Sequence, residues 1–356
     1  IAGHACGHHL FGVGSTAAAV AVKDWMKKTG QKGTIKFYGT PAEEGGSGKV
    51  YMVREGLFKD VDVVLHWHPS SDNSANASSS LANKSGKFRF YGRSAHAAAS
   101  PENGRTALDG IEAMTHMINM MREHVQEDSR IHYVITQGGK APNVVPDFAE
   151  LYVYARHPNR TNVKEMWEWM ENIAKGAAQG TGTRVEVEVL GGVHELLPNE
   201  TLAKVMHNNM SMVGGYVMTP EELAFANKIL PTPGMFKSSL DATTKVQELK
   251  LENSANGGST DVGDVSWAVP TVGCRTATWV PGTPAHSWQA VAAGGTSIGV
   301  KGMMIAAKTL ALSAIDLFEN QELIQKATIE FKEKTGGDFK YEALLGNRKP
   351  ALNYRN

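Results

Sequence analysis

Thiols are nearly absent from this chain: of 356 residues only Cys6 and Cys274 are cysteines, too few for a disulfide framework. Neither charge dominates. Thirty-six basic residues stand against 36 acidic ones, so no global field points to nucleic acid or an anionic membrane as partner. No apolar run of membrane-spanning length and no signal-peptide pattern stand out, which makes a reducing cytoplasm the expected setting. The chain also lacks an initiator methionine, and Ile1-Ala2-Gly3 enters a polar motif at once, so a segment upstream of Ile1 is expected. These absences leave function to be argued from local motifs.

The first motif is Gly3-His4-Ala5-Cys6-Gly7-His8-His9, where four of seven residues are imidazoles or a thiol. Thiolate and imidazole suit zinc and, with carboxylates added, other divalent first-row metals. An Ala- and Val-rich stretch from Leu10 to Thr29 predicts a helix that stops at Gly30. Alternation over Thr34–Gly39 predicts a strand that runs into Pro41-Ala42-Glu43-Glu44-Gly45, and Lys49 to Phe58 predicts a further helix. Val61–Leu65 reads as a buried strand, ending in His66-Trp67-His68-Pro69. In open α/β sheets, ligands collect beyond the carboxyl ends of strands, and here candidate ligands recur at that position. His286 repeats the pattern, between a strand at Pro270–Thr278 and a helix from Gly294 to Phe318.

The length suggests about two domains, and the texture changes at Lys84. Residues 84–192 carry a strand, helix, strand, strand, helix and strand in order, the arrangement of a ferredoxin-like unit. Three polar side chains stand out within it: His96, Asn143 and Arg156. An arginine can hold a carboxylate as a fork, while amide and imidazole donors can meet a developing oxyanion. The α/β texture returns from His194, an irregular stretch fills Pro231 to Gly258, and Ser259-Thr260-Asp261 follows it.

Taken in this order, the motifs resemble those of the aminoacylase, carboxypeptidase and dipeptidase superfamily of co-catalytic metallopeptidases. Within it the resemblance is to the amidohydrolase branch carrying His-Ala-Cys-Gly-His, and there to the aminobenzoyl-glutamate utilization protein B group. The motifs that carry it run from Gly3–Gly12 through Pro41–Glu44, His66–Pro69, Ser94–Ala98, Asn143–Pro146 and Ser259–Asp261 to Ala285–Trp288. One departure is His9, where many relatives have an aspartate.

The resemblance implies an α/β fold: a di-metal peptidase-like catalytic domain, residues 1–83 and 193–356, split by an inserted ferredoxin-like (βαββαβ) lid and dimerisation domain at 84–192. It implies two divalent metal ions per chain, zinc or manganese, with Cys6, His8, Glu44, His286 and one of His66 and His68 as ligands. Glu43 falls on the general base, His96 on a histidine that reaches a partner's active site, and Asn143 and Arg156 on substrate-binding positions. The implied reaction is hydrolysis of an N-acyl or N-aroyl amino acid, such as an aminobenzoyl-glutamate-like amide. Alternatives are a dipeptidase or carboxypeptidase, or a non-catalytic metal-bound subunit. The implied partners are a small amide substrate and a second chain, as a homodimer through the inserted domain or a heteromer with a paralogous subunit; neither nucleic acid nor a membrane is expected.

Overall fold

The computed structural model describes residues 3–76, 78–230, 239–251 and 255–352, so part of the irregular Pro231–Gly258 stretch lies outside the described residues. The chain opens with α1 (His8–Thr29), whose apolar stripe Leu10, Ala18 and Val22 is buried. Gly30, at φ 78°, ends the helix by returning its N–H to Met26. A short turn α2 (Glu43–Gly46) and α3 (Gly48–Arg54) follow. Next come β1 (Val64–Ser70), β2 (Ser74–Asn76) and β3 (Ser79–Ser80).

The second unit runs β4 (Ala82–Tyr91), α4 (Ala107–Met121), β5 (Arg130–Gln137), β6 (Phe148–His157), α5 (Arg160–Thr181) and β7 (Arg184–Val193). Its four strands form an antiparallel sheet in the order β5-β6-β4-β7. Alternate residues of β4 and β6, among them Phe88, Phe90, Leu151 and Val153, pack against the methionine and tryptophan stripes of α4 and α5. That is the ferredoxin-like arrangement.

The chain then returns through α6 (Glu200–Val213), α7 (Pro220–Ile229), β8 (Ala255–Asn256), α8 (Val262–Ser266) and β9 (Thr271–Ala277). It finishes with α9 (Trp288–Gly294), α10 (Ser297–Glu319) and α11 (Gln321–Thr335). β9 lies between β1 and β2, parallel to β1 and antiparallel to β2. Helices α1, α6 and α10 pack their apolar sides onto Trp67, Val272 and Cys274 of this small sheet.

The structure corrects three expectations. Thr34–Gly39 joins no ladder among the described residues, and Ile35 and Phe37 are exposed: alternation supplies a face but not a partner strand. The helix beginning near Lys49 stops at Arg54 rather than Phe58, because Gly56 turns the chain at φ 77°. By length and composition α10 is apolar enough to cross a membrane, contrary to the expectation that no such run exists; here 61% of its apolar window is buried as a core helix.

Downstream of α11 an extended stretch straps both units together. Arg54 Nη1 donates to the carbonyls of Gly346 (3.1 Å) and Arg348 (2.8 Å), while Arg348 Nη1 donates to Leu190 of β7 at 2.8 Å. Leu344 enters the core of the second unit. Tyr341 donates its hydroxyl to Asp264 at 2.7 Å, and the His194 backbone N–H donates to the same carboxylate at 3.0 Å. Burial raises the Asp264 carboxyl from its ordinary 3.8 to about 7, against the opposing effect of those two donors.

The folded chain therefore keeps a proton that the unfolded chain releases, so this stabilisation is complete below about pH 4 and is lost as pH rises through about 7. The melting temperature of the wild type is expected to decline over that window relative to Asp264→Asn, which lacks the titration. Parallel pH–melting curves for the two proteins would refute the assignment.

Candidate active site

Four loops meet at the carboxyl ends of β1 and β9. The first is Gly3–Gly7, closed by Gly7 at φ 80°, where a Cβ would stand 2.7 Å from Pro69 Cγ. Only glycine allows this loop to lie on the end of β1 and deliver Cys6 and His8 there. The second is Pro41–Gly48, which turns sharply through Ala42 (φ 64°), Gly45 (φ 95°) and Ser47 (φ 53°). The third contribution is the end of β1 itself. The fourth is the loop before α9, where His286 (φ 61°) donates its backbone N–H to the Ala5 carbonyl at 3.0 Å.

These loops bring six of the sequence-derived candidates together. Three groups of potential ligand atoms each lie within 4.8 Å of one another: Cys6, His8 and His68; Cys6, Glu44 and His286; and His8, Glu43 and Glu44. Cys6 belongs to two of the groups and so sits between them. Cys6 Sγ is 3.6 Å from His68 Nε2, and Glu44 Oε1 is 3.3 Å from His286 Nε2 and 3.7 Å from His8 Nε2. His8 stacks on Phe11 at 4.8 Å between ring centroids, and Phe11 meets His68 edge-on at 5.3 Å. These contacts fix both imidazoles.

The electrostatics suit a divalent cation. Burial holds His68 neutral, lowering it to about 4, and lowers His8 as well. Burial, with the charges of Glu44 and Glu43 adding to it, pushes the Cys6 thiol up to about 12. Glu43 rises to about 6, chiefly through burial and next through the Asp261 charge, while Lys49 opposes the shift. His8 Nε2 is buried without a hydrogen-bond partner. A neutral imidazole nitrogen of that kind, beside a thiol and two carboxylates, is a donor set that a divalent metal would satisfy.

His66 behaves differently. Its Nε2 is also buried without a partner, but it belongs to none of the three groups among the described residues. It faces Gly273 across the β1–β9 ladder, where a Cβ would approach the imidazole to 2.3 Å. Burial lowers its pKa to about 3. Geometry therefore favours His68, two residues nearer the strand end.

Arg156 lies at the end of β6 and lines the same cavity as the cluster, a space of about 1360 Å³ between the two units. Its Nε is buried without a partner, and its guanidinium stands 5.2 Å from the Tyr154 ring centroid. His96 and Asn143 are brought to each other but not to this cavity. They meet through a bridge between His96 and Val144 and a 3.1 Å bond from Ala97 N–H to the Asn143 carbonyl, both side chains being exposed. Three residues at the site carried no assignment from sequence. Lys49 and Asp261 form a 2.9 Å ion pair, and Arg275, opposite His68 in the ladder, is the one exposed residue of an otherwise buried β9. The Ser259–Asp261 motif was the available signal for Asp261.

A cluster of thiol, imidazole and paired carboxylate at strand ends, facing a ferredoxin-like unit across a cavity, defines a class: metal-dependent hydrolases of amide and peptide bonds. Comparison with known proteins agrees. Residues 82–181 match the model of a peptidase dimerisation domain. The chain is 41% identical to one of the two p-aminobenzoyl-glutamate hydrolase subunits of Escherichia coli K12, over 94% of this chain and 74% of that protein. It is 30% identical to the Xaa-Arg dipeptidase of Mus musculus, over 93% of this chain and 70% of the relative. A solved aminobenzoyl-glutamate utilization protein from Klebsiella pneumoniae shares the fold at a TM-score of 0.59 and 20% identity, over 84% of this chain and 66% of that structure. The chain thus spans roughly two thirds to three quarters of these relatives' lengths. It belongs to the M20 peptidase family.

Replacing the ligand candidates separates His66 from His68. His68→Ala is expected to weaken zinc or manganese binding by more than the about 10–100-fold typical of losing an outer partner. His66→Ala is expected to keep metal binding while lowering the melting temperature. Metal analysis after dialysis decides, and equal metal loss in both variants would refute the distinction.

Proposed function

We propose that this chain hydrolyses the amide bond of an N-acyl or N-aroyl amino acid, with an aminobenzoyl-glutamate-like amide as the leading substrate. Two divalent ions, zinc or manganese, would be held by Cys6, His8, Glu44, His68 and His286. The observation that carries this reading is the pair of three-residue ligand groups sharing Cys6, with Glu43 beside them. Metal ions bound there would polarise the carbonyl and acidify the attacking water.

The remaining steps belong to side chains. Glu43 accepts the proton as attack proceeds and delivers it to the departing amine nitrogen, so one carboxylate serves as base and then acid. Glu44 stays with His8 and His286. Arg156, with its buried and unpartnered Nε, pairs with the carboxylate of the amino-acid half. His96 and Asn143, exposed and remote from the cavity of their own chain, serve the site of a neighbouring protomer. There they would hydrogen-bond the oxyanion and the substrate. That protomer is a second copy or a paralogue, in line with the dimerisation-domain match and with 29% identity, over 60% of this chain, to the companion chain of the Escherichia coli hydrolase. Both cysteines are unpaired, which suits a reducing cytoplasm.

A dipeptidase is the second reading, favoured by the Xaa-Arg dipeptidase relative. A panel of aminobenzoyl-glutamate, other N-acyl amino acids and dipeptides, assayed on metal-loaded protein, separates the two. Glu43→Gln is expected to lower kcat by at least about 100-fold. Metal content should remain at the wild-type level, and loss of metal together with turnover would refute the roles given to Glu43 and Glu44.

A further inference from the structure

The Ser259–Asp261 motif touches the acidic loop at both of its ends. Asp261 occupies the cap position of α8, yet its side chain makes no capping bond to that helix. It turns instead to α3, where Oδ2 accepts the Lys49 backbone N–H and Oδ1 accepts Lys49 Nζ, each at 2.9 Å. The Asp261 side chain is 1% exposed and that of Lys49 14%. One residue earlier, the Thr260 side chain hydrogen-bonds Glu43.

Between those two attachments lies a loop that the chain does not favour by itself. Ala42 and Ser47 are left-handed without being glycine, and Ser47 makes no side-chain cap to α3. Gly48 is pressed onto the Pro41 carbonyl, since a Cβ there would stand 2.0 Å from that oxygen. A loop of this kind persists when surrounding contacts over-determine it. The contacts available are the charge-assisted bonds from Lys49 to Asp261, which stand in for the missing cap at the start of α3.

We infer that Lys49 and Asp261 form a positioning clamp for the acidic loop, holding Glu43 toward the reacting amide and Glu44 toward His8 and His286. The pair touches neither substrate nor reacting atoms; it acts through Glu43. The clamp's catalytic role rests on the hydrolase reading above, whereas its effect on the loop does not.

The test compares wild type, Asp261→Asn, Lys49→Met and Lys49→Arg as full-length, metal-loaded chains. Amide hydrogen exchange of residues 41–49 is read alongside kcat, KM and metal content. Asp261→Asn and Lys49→Met are expected to speed exchange across 41–49 by about tenfold or more. They should lower kcat by about 10–100-fold, as a small misplacement of a catalytic group does. KM should stay within about twofold and metal content unchanged, since what is lost is felt only in the transition state. Lys49→Arg, which restores the charge, should recover most of the turnover; a merely structural role would not give this split between kcat and KM. Should Asp261→Asn fail to fold, Lys49→Met carries the test, because it keeps the backbone bond to Asp261. Unchanged exchange in both variants overturns the clamp, and so does loss of metal in parallel with kcat. If the wild type turns over no amide, the hydrolase reading falls, and exchange across 41–49 by itself decides whether the pair fixes the loop.

Discussion

The parallel pairing of β1 with β9 is the constraint on which the site depends. Seven residues of each strand are in register, from Val64 opposite Thr271 to Ser70 opposite Ala277. One face of this pair is sealed by α1, α6 and α10 through Trp67 and Cys274. The other carries His66 and His68 beside Gly273 and Arg275. Because the strands run the same way, their ends open at one edge, and the Cys6 loop, the acidic loop and the His286 loop all converge there. Sliding the register by one residue would turn His68 into the helical core and Trp67 into the cavity.

Much of this was legible in the sequence, for identifiable reasons. The helix from Leu10 and its stop at Gly30 follow from composition and from glycine's tolerance of a left-handed φ. The second unit was readable because its strands and helices each carry a full apolar stripe. Three things could not be read. Strand alternation puts His66 and His68 on one face alike; only the opposing glycine, which lets His66 sink against the sheet, tells them apart. Thr34–Gly39 has the pattern of a strand, but a pattern carries no information about its hydrogen-bonding partner. The left-handed turns at Ala42, Ser47 and His286 carry no glycine to announce them; they come from the tertiary contacts around them. Asp261 is a related case, since its motif was visible while its partner Lys49 is far away in sequence.

Charge is distributed within the site with little redundancy. Glu43, Glu44 and Asp261 crowd a partly dry space, and Lys49 is the cation paired to one of them. Arg275 acts from the opposite side, lowering the pKa values of Cys6, His66 and His68 against the carboxylates. The cavity between the units is thus bounded by an anionic wall at the cluster and by guanidinium at Arg156 and Arg275. A ligand with one carboxylate and one neutral amide matches that polarity.

Leu344 has a consequence for how the chain reaches this state. It is buried in the core of the second unit although it follows every element of the first. The second unit, continuous in sequence from β4 to β7, is therefore not self-sufficient: one wall of its interior arrives only after the remainder of the chain has been made. During synthesis the β4–β7 unit would emerge early with an apolar gap beside Gly192, and completion must wait for the downstream strap. The order in which parts are made differs from the order in which they become finished, and long-range closure of that sort slows folding.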